Sequence, residues 1–214
     1  MAIQREYLFN LVKQQILTID HLEKENINLA EKLSDLNNKL NIYRYSHRLK
    51  ICLKCEIYLD ENSNFCNKCG TQIEFVVSEE NNELTIIDYI GTKNEVFIPS
   101  KIGGKSVVSI GYKAFWKKYL SSIVIPNSIT YIGKQAFERN NLTRIIIPYG
   151  VVEIDKNSFN NNYNLSSVDI PDSVELIGDF AFCHNKLTNV SLPSKTKVGY
   201  RAFDIDEEKI IYRK

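Results

Sequence analysis

What the chain lacks narrows it before any motif is read. Its charges nearly cancel: 27 Lys and Arg stand against 26 Asp and Glu, leaving +1. No global field draws such a chain toward nucleic acid or an anionic membrane surface. No apolar run approaches the roughly 20 residues that a membrane-spanning helix requires, so no membrane partner is expected. The opening MAIQREYLFNLVKQQ places charge at Arg5 and Glu6 and holds no apolar segment of signal-peptide length. The expected address is therefore the cytoplasm, where disulfides are disfavoured. Histidine is scarce: His21, His47 and His184 are the three, and none sits in a recognisable catalytic motif. Gly103-Gly104-Lys105 lacks the spacing of a phosphate-binding loop. An enzyme is not expected.

Cysteine is concentrated. Four of the five fall between Cys52 and Cys69, as Cys52-x-x-Cys55 and Cys66-x-x-Cys69 with ten residues between the pairs. Each C-x-x-C turn sets two thiolates on one side of a tight loop. Two such turns facing each other make a tetrahedral cage of four sulfurs that suits one structural Zn²⁺, with Zn–S bonds of ~2.3 Å. An iron site would use the same four ligands. With every position filled by sulfur, no place is left for water or substrate, which marks a structural and not a catalytic metal. The intervening EIYLDENSNF reads as a short hairpin: Ile57, Tyr58 and Leu59 are strand-like, 60–64 turn-rich, and Phe65 returns. Gly70 suits a knuckle that needs positive φ. Residues 51–74, and FCNKCG above all, resemble the short zinc-ribbon family. The first pair departs from that pattern at Glu56, where the family often has Gly.

From residue 94 onward a period dominates. IGYKAF (110–115) returns as IGKQAF (132–137), IDKNSF (154–159), IGDFAF (177–182) and VGYRAF (198–203). The phenylalanines step by 22, 22, 23 and 21 residues. Between them recur LSSIVIP (120–126), LTRIIIP (142–148), LSSVDIP (165–171) and LTNVSLP (187–193). Fixed apolar positions at this period predict a solenoid. Within L-x-x-I-x-I-P the two last apolar residues alternate as in a strand with one buried face, and Pro ends the strand because it has no N–H to donate. Phe is expected at the centre of each coil, with Ala allowing close approach. No unit can bury this set alone, but stacked neighbours can.

The combined pattern IG-x-x-AF…L-x-x-I-x-IP resembles the BspA-like leucine-rich repeats, and FIPSKIGGKSVVSIGYKAF (97–115) is similar to that family's usual lead-in. The resemblance covers residues 75–214. It implies an N-terminal cap at 75–99, in which FVVSEENNELTIIDY forms a hairpin turning at Glu80-Asn81-Asn82, and repeats over 100–214. It also implies an interaction surface. DIDEEKIIYRK (204–214) loses the Leu and Pro signals and looks like a truncated last coil. Repeats of this family often carry a Cys near the position of Cys183. Adjacent residues on a turn point apart as often as together, so Cys183 beside His184 reads as a packing or bystander thiol.

The first fifty residues carry a different period. Residues 8–43 hold neither Gly nor Pro and fit a heptad seam of Leu8, Val12, Gln15, Ile19, Leu22, Asn26, Leu29, Leu33, Leu36, Leu40 and Tyr43. A coiled-coil helix over residues 5–46 is expected, with Ile19, Leu22, Asn26, Leu29, Leu33, Leu36 and Leu40 at a homodimer seam. Asn26 at an a position is a device that favours a parallel pair. The same stripe would also serve a helix packed on the chain's own body, or a seam with a different partner.

The expected fold class is therefore multi-domain: an N-terminal α-helical coiled coil, a small four-cysteine zinc ribbon and a mainly-β leucine-rich-repeat solenoid. The expected role is a non-enzymatic scaffold for a protein partner. Its binding face would be the outward strand positions Ser122, Val124, Arg144, Ile146, Ser167, Asp169, Asn189 and Ser191. The alternative is a ribbon that binds nucleic acid or regulates, with RYSHRLK (44–50) as its basic flank. It is disfavoured because Glu56, Asp60, Glu61 and four metal-bound thiolates make the ribbon acidic.

Overall fold

The computed structural model describes residues 48–60 and 62–213. The expected coiled coil at 5–46 and its seam positions lie outside the described residues, as do His21 and His47. The described chain is built almost wholly of short strands. They are β1 (Leu49–Ile51), β2 (Tyr58–Leu59), β3 (Phe75–Glu80), β4 (Glu83–Tyr89), β5 (Glu95–Phe97), β6 (Lys101–Ile102), β7 (Lys105–Ile110) and β8 (Ser122–Val124). There follow β9 (Tyr131–Ile132), β10 (Arg144–Ile146), β11 (Glu153–Ile154), β12 (Ser167–Asp169), β13 (Leu176–Ile177), β14 (Val190–Pro193), β15 (Lys197–Val198) and β16 (Ile210–Arg213). Among the described residues the one helix is a 3-10 turn at Glu207–Lys209, and none is long and apolar enough to cross a membrane.

The coils stack with three walls. The first is the L-x-x-I-x-I-P wall, where β5 pairs β8, β10 pairs β12 and β14 pairs β16, all parallel. Pro126, Pro148 and Pro171 lie two residues beyond β8, β10 and β12, as a residue without an N–H should. The second wall is one parallel ladder, β7-β9-β11-β13-β15, continued on its other side by β4 and β3. The third wall has no strands. Its backbone places Lys113, Gln135, Asn157, Phe180 and Arg201 at positive φ, and Lys117, Arg139, Asn161 and His184 likewise four residues on in their coils. This alternation aims the amides along the stack: Phe115 N–H donates to Ala136 O at 2.8 Å, Phe137 to Ser158 O at 2.7 Å, and Phe159 to Ala181 O at 2.8 Å.

Inside the walls two columns run the length of the stack. The first is aromatic. Tyr89, Phe115, Phe137, Phe159, Phe182 and Phe203 stack with centroid steps of 5.5, 5.0, 5.1, 5.1 and 5.2 Å. That step is close to the ~4.8 Å between paired strands, so ring stacking and backbone pairing impose one common pitch. The second column is Asn140, Asn162 and Asn185. Asn162, fully buried, donates from Nδ2 to Phe137 O and Phe159 O at 3.0 Å each, and its Oδ1 accepts from Leu142 N at 3.3 Å. Asn140 bridges Phe115 O and Phe137 O in the same way, and Asn185 bridges Phe159 O and Phe182 O. The glycines of the I-G pairs stand where coils touch: a Cβ on Gly133 would lie 2.7 Å from Ile110 O.

Three expectations are corrected. Residues 57–65 do not form their own hairpin. β2 pairs backwards with β1, Lys50 facing Leu59 and Ile51 facing Tyr58, because the first C-x-x-C turn is itself the hairpin loop. Phe65 pairs instead with Gln72 across the second turn. The lead-in Glu95–Phe97 already belongs to a coil, since it pairs β8 in register with Phe97 facing Val124. The tail is less truncated than its missing signals suggest, for β16 pairs the whole of β14.

Asn162→Ala leaves the Leu142 amide buried without a partner and takes from Phe137 O and Phe159 O one of the two asparagine hydrogen bonds that each accepts. It is expected to cost about 2–4 kcal/mol in urea unfolding, whereas Asn164→Ala on the surface should stay within about 0.5 kcal/mol of the parent.

Candidate metal centre and binding face

The four cysteines converge. Their Sγ atoms all lie within 4.8 Å of one another, and Cys52 Sγ is 3.6 Å from Cys69 Sγ. The edge of a tetrahedron with ~2.3 Å bonds is about 3.8 Å, so the sulfurs already sit near the corners that a Zn²⁺ ion requires. The two turns are built alike. Glu56 N–H donates to Cys52 O and Gly70 N–H to Cys66 O, each at 2.8 Å. Glu56 has φ +54° and Gly70 φ +71°. The departure at Glu56 therefore leaves the knuckle intact, with a side chain held in the left-handed region that Gly enters freely. Amides also point at sulfur: Cys55 N–H reaches Cys52 Sγ at 3.4 Å.

Charge is unevenly spread in the metal-free cage. The Thr71 hydroxyl, then the Thr71 amide, bring the Cys69 thiol down to about 6. The hydrogen bond with Cys69, with burial and the other two cysteines adding to it, pushes Cys55 up to about 12. A cation bound by all four sulfurs would displace the proton that Cys55 holds the more tightly of this pair.

The cage is fused to the solenoid through the chain itself. β1 pairs β3 antiparallel, with Leu49 facing Val77 and Lys50 facing Val76. Ile51 packs in the solenoid core, while the next residue, Cys52, packs with Cys66 and Ile73. Lys105 binds Glu79 and, at 3.1 Å, the Tyr58 hydroxyl, which ties β2 to β7. Two nearby cations share one carboxylate: Arg48 and Lys118 both reach Asp88, at 3.2 and 3.0 Å.

On the strand wall, Ser122, Val124, Arg144, Ile146, Ser167, Asp169 and Asn189 are exposed and Ser191 is half-buried. Registers bring Arg144 beside Ser167 and Ile146 beside Asp169. Sequence reading missed Phe97, which stands beside Val124. Phe97 is 72%, Val124 48% and Ile146 55% exposed, so three apolar side chains follow one another across adjacent coils. The signal was present, since VFIP at 96–99 repeats the IVIP of 123–126. Also missed was the meeting of Cys183 and His184 with Asp204, because Asp204 comes from the next coil.

The comparisons agree with this architecture. The BspA type Leucine rich repeat region (6 copies) matches residues 94–208, more than half of the chain, and the chain belongs to that family. A Treponema pallidum (T. pallidum) leucine rich repeat protein of known structure is 30% identical, with a TM-score of 0.59, over 66% of this chain and 66% of that one. A leucine-rich repeat protein from Bacteroides ovatus is also 30% identical, with a TM-score of 0.55, over 61% of this chain and 37% of that one. The chain thus spans just under two thirds of the first relative and little more than a third of the second. No curated protein matches.

Zn²⁺ added to the reduced, metal-free chain is expected to slow amide exchange in β1 and β3, and not in the coil around Phe159. Its affinity should fall as pH drops from 8 to 6, because protons compete for the thiolates. Cys66→Ser should abolish both effects, as exchange mass spectrometry and a competition titration would show.

Proposed function

We propose that the chain is a non-enzymatic protein-interaction module. In this reading the solenoid presents a binding face, the four-cysteine ribbon holds one structural Zn²⁺, and the N-terminal helix self-associates through Ile19, Leu22, Asn26, Leu29, Leu33, Leu36 and Leu40. The proposed setting is the cytoplasm, where thiols stay reduced and available for metal.

One observation carries the reading: the consecutive exposure of Phe97, Val124 and Ile146 on short strands anchored by the aromatic and asparagine columns. Solvent-facing strand positions need no apolar residue for the fold. A run of them on a rigid wall is the pattern of a contact surface. Arg144, Ser167 and Asp169 supply a polar margin, as interface rims do. The ion pairs that occupy Arg48, Lys105 and Lys118 favour a protein partner over phosphate backbones.

Two measurements test the proposal. The full chain is expected to run as a dimer in light scattering, and Asn26→Leu should change the stoichiometry or register of its seam. Affinity co-purification with nuclease should retain a defined protein with the parent chain. The triple variant Phe97→Ser, Val124→Ser, Ile146→Ser should lose it while keeping its unfolding midpoint. Retention of every partner by that variant would discard this face, and loss of all partners on nuclease treatment would discard the protein-scaffold reading.

A further inference from the structure

We infer that Cys183, His184 and Asp204 form a second metal site, an open three-ligand site for Zn²⁺ or a similar borderline divalent cation, at the junction of the last two coils. Sγ of Cys183, a ring nitrogen of His184 and a carboxylate oxygen of Asp204 lie within 4.8 Å of one another. The site shares no residue with the four-cysteine cage.

The register of the coils creates it. Asp204 follows Phe203 as Cys183 follows Phe182, and these two phenylalanines pair across the junction. In the preceding coils the third-wall amide passes to a backbone carbonyl, as Arg139 N–H does to Asn160 O and Asn161 N–H to Cys183 O. At the last junction the side chain of Asp204 takes that place, and His184 N–H donates to Asp204 Oδ2 at 2.6 Å. The carboxylate is thereby fixed by backbone, and its other oxygen is turned to Cys183, whose Sγ donates to Oδ1 at 3.0 Å. Arg201 Nη2 also reaches Oδ1, at 3.3 Å. His184 sits at φ +57°, and its Nδ1 lies 3.1 Å from Asn160 Oδ1.

The donor types select the ion. Thiolate, imidazole and carboxylate together suit Zn²⁺ and its neighbours, and hard ions such as Mg²⁺ and Ca²⁺ seek all-oxygen sets. Three protein ligands leave one position of a tetrahedron open to water. Burial, with help from the carboxylate, pushes the Cys183 thiol up to about 11. Burial works against the charge on Asp204, but hydrogen bonds from the Cys183 thiol and the His184 amide prevail and hold its carboxyl below the usual range. Binding therefore releases one proton, from Cys183 Sγ to solvent. Asp204 supplies a carboxylate oxygen and His184 a ring nitrogen.

The full chain, reduced and stripped of metal, would be titrated with Co²⁺ and then Zn²⁺. Two equivalents of Co²⁺ are expected. The four-cysteine cage gives the intense bands of a four-thiolate site, and the second site gives weaker bands with charge transfer from a single thiolate. His184→Ala, at an exposed position, should lower affinity for the second equivalent by more than about 100-fold, beyond what loss of an outer partner costs. Cys183→Ser should do the same and remove the single-thiolate band, while Cys66→Ser should lose the first set of bands and keep the second. Circular dichroism confirms folding, and His184→Ala decides alone if Cys183→Ser does not fold. One equivalent in the parent chain, or two with unchanged spectra in His184→Ala, would overturn the inference.

Discussion

Everything in the described chain depends on a constraint of pitch. Backbone pairing between coils repeats at about 4.8 Å. A ring column and an amide column inside the coils must repeat at the same distance or the walls part. The phenylalanines meet that demand at 5.0–5.2 Å, and their planes become more parallel along the stack, from 18° between Phe115 and Phe137 to 3° between Phe182 and Phe203. The asparagines meet it by reaching two carbonyls, their own coil's and the preceding one's. Each coil therefore lacks a satisfied interior without its neighbour, which is the basis of nearest-neighbour cooperativity in repeat stacks.

The four-cysteine segment obeys the same constraint. Its first strand, β1, pairs with β3 of the cap hairpin, whose turn at Asn81 and Asn82 takes φ +51° and +65°. Such a pair of left-handed residues gives the turn a twist that matches its strands. The cap thus has one edge of β3 occupied by β1 and the other by β4, so neither is left open to chance pairing. The four-cysteine segment is therefore part of the sheet and not a separate joint.

Periodicity made most of this legible. Ile-Gly, Ala-Phe and Ile-x-Ile-Pro report burial, and burial repeats because the coil repeats. The asparagine column was equally present, three residues after Phe137, Phe159 and Phe182, but a polar residue in a turn reads as solvent-facing until its carbonyl partners are known. Tyr89 escaped because its motif lacks the Ala-Phe pair. The pairing of β2 with β1 escaped because turn composition marks where a chain reverses and not which strand it returns to. Asp204 escaped for a related reason: its partners sit one coil away, and its side chain takes a place that the earlier coils fill with a backbone carbonyl.

The left-handed column on the third wall has a consequence for what that surface can be made of. Lys113, Lys117, Gln135, Arg139, Asn157, Asn161, Phe180, His184 and Arg201 all carry positive φ, and none is branched at Cβ. Valine, isoleucine and threonine are excluded there by their own backbones. The strand wall prefers those same residues. These two of the solenoid's three walls are thus written in different alphabets, stiff and apolar-tolerant on one, unbranched at Cβ on the other. Divergence among such chains can recolour each surface only within its own set of letters.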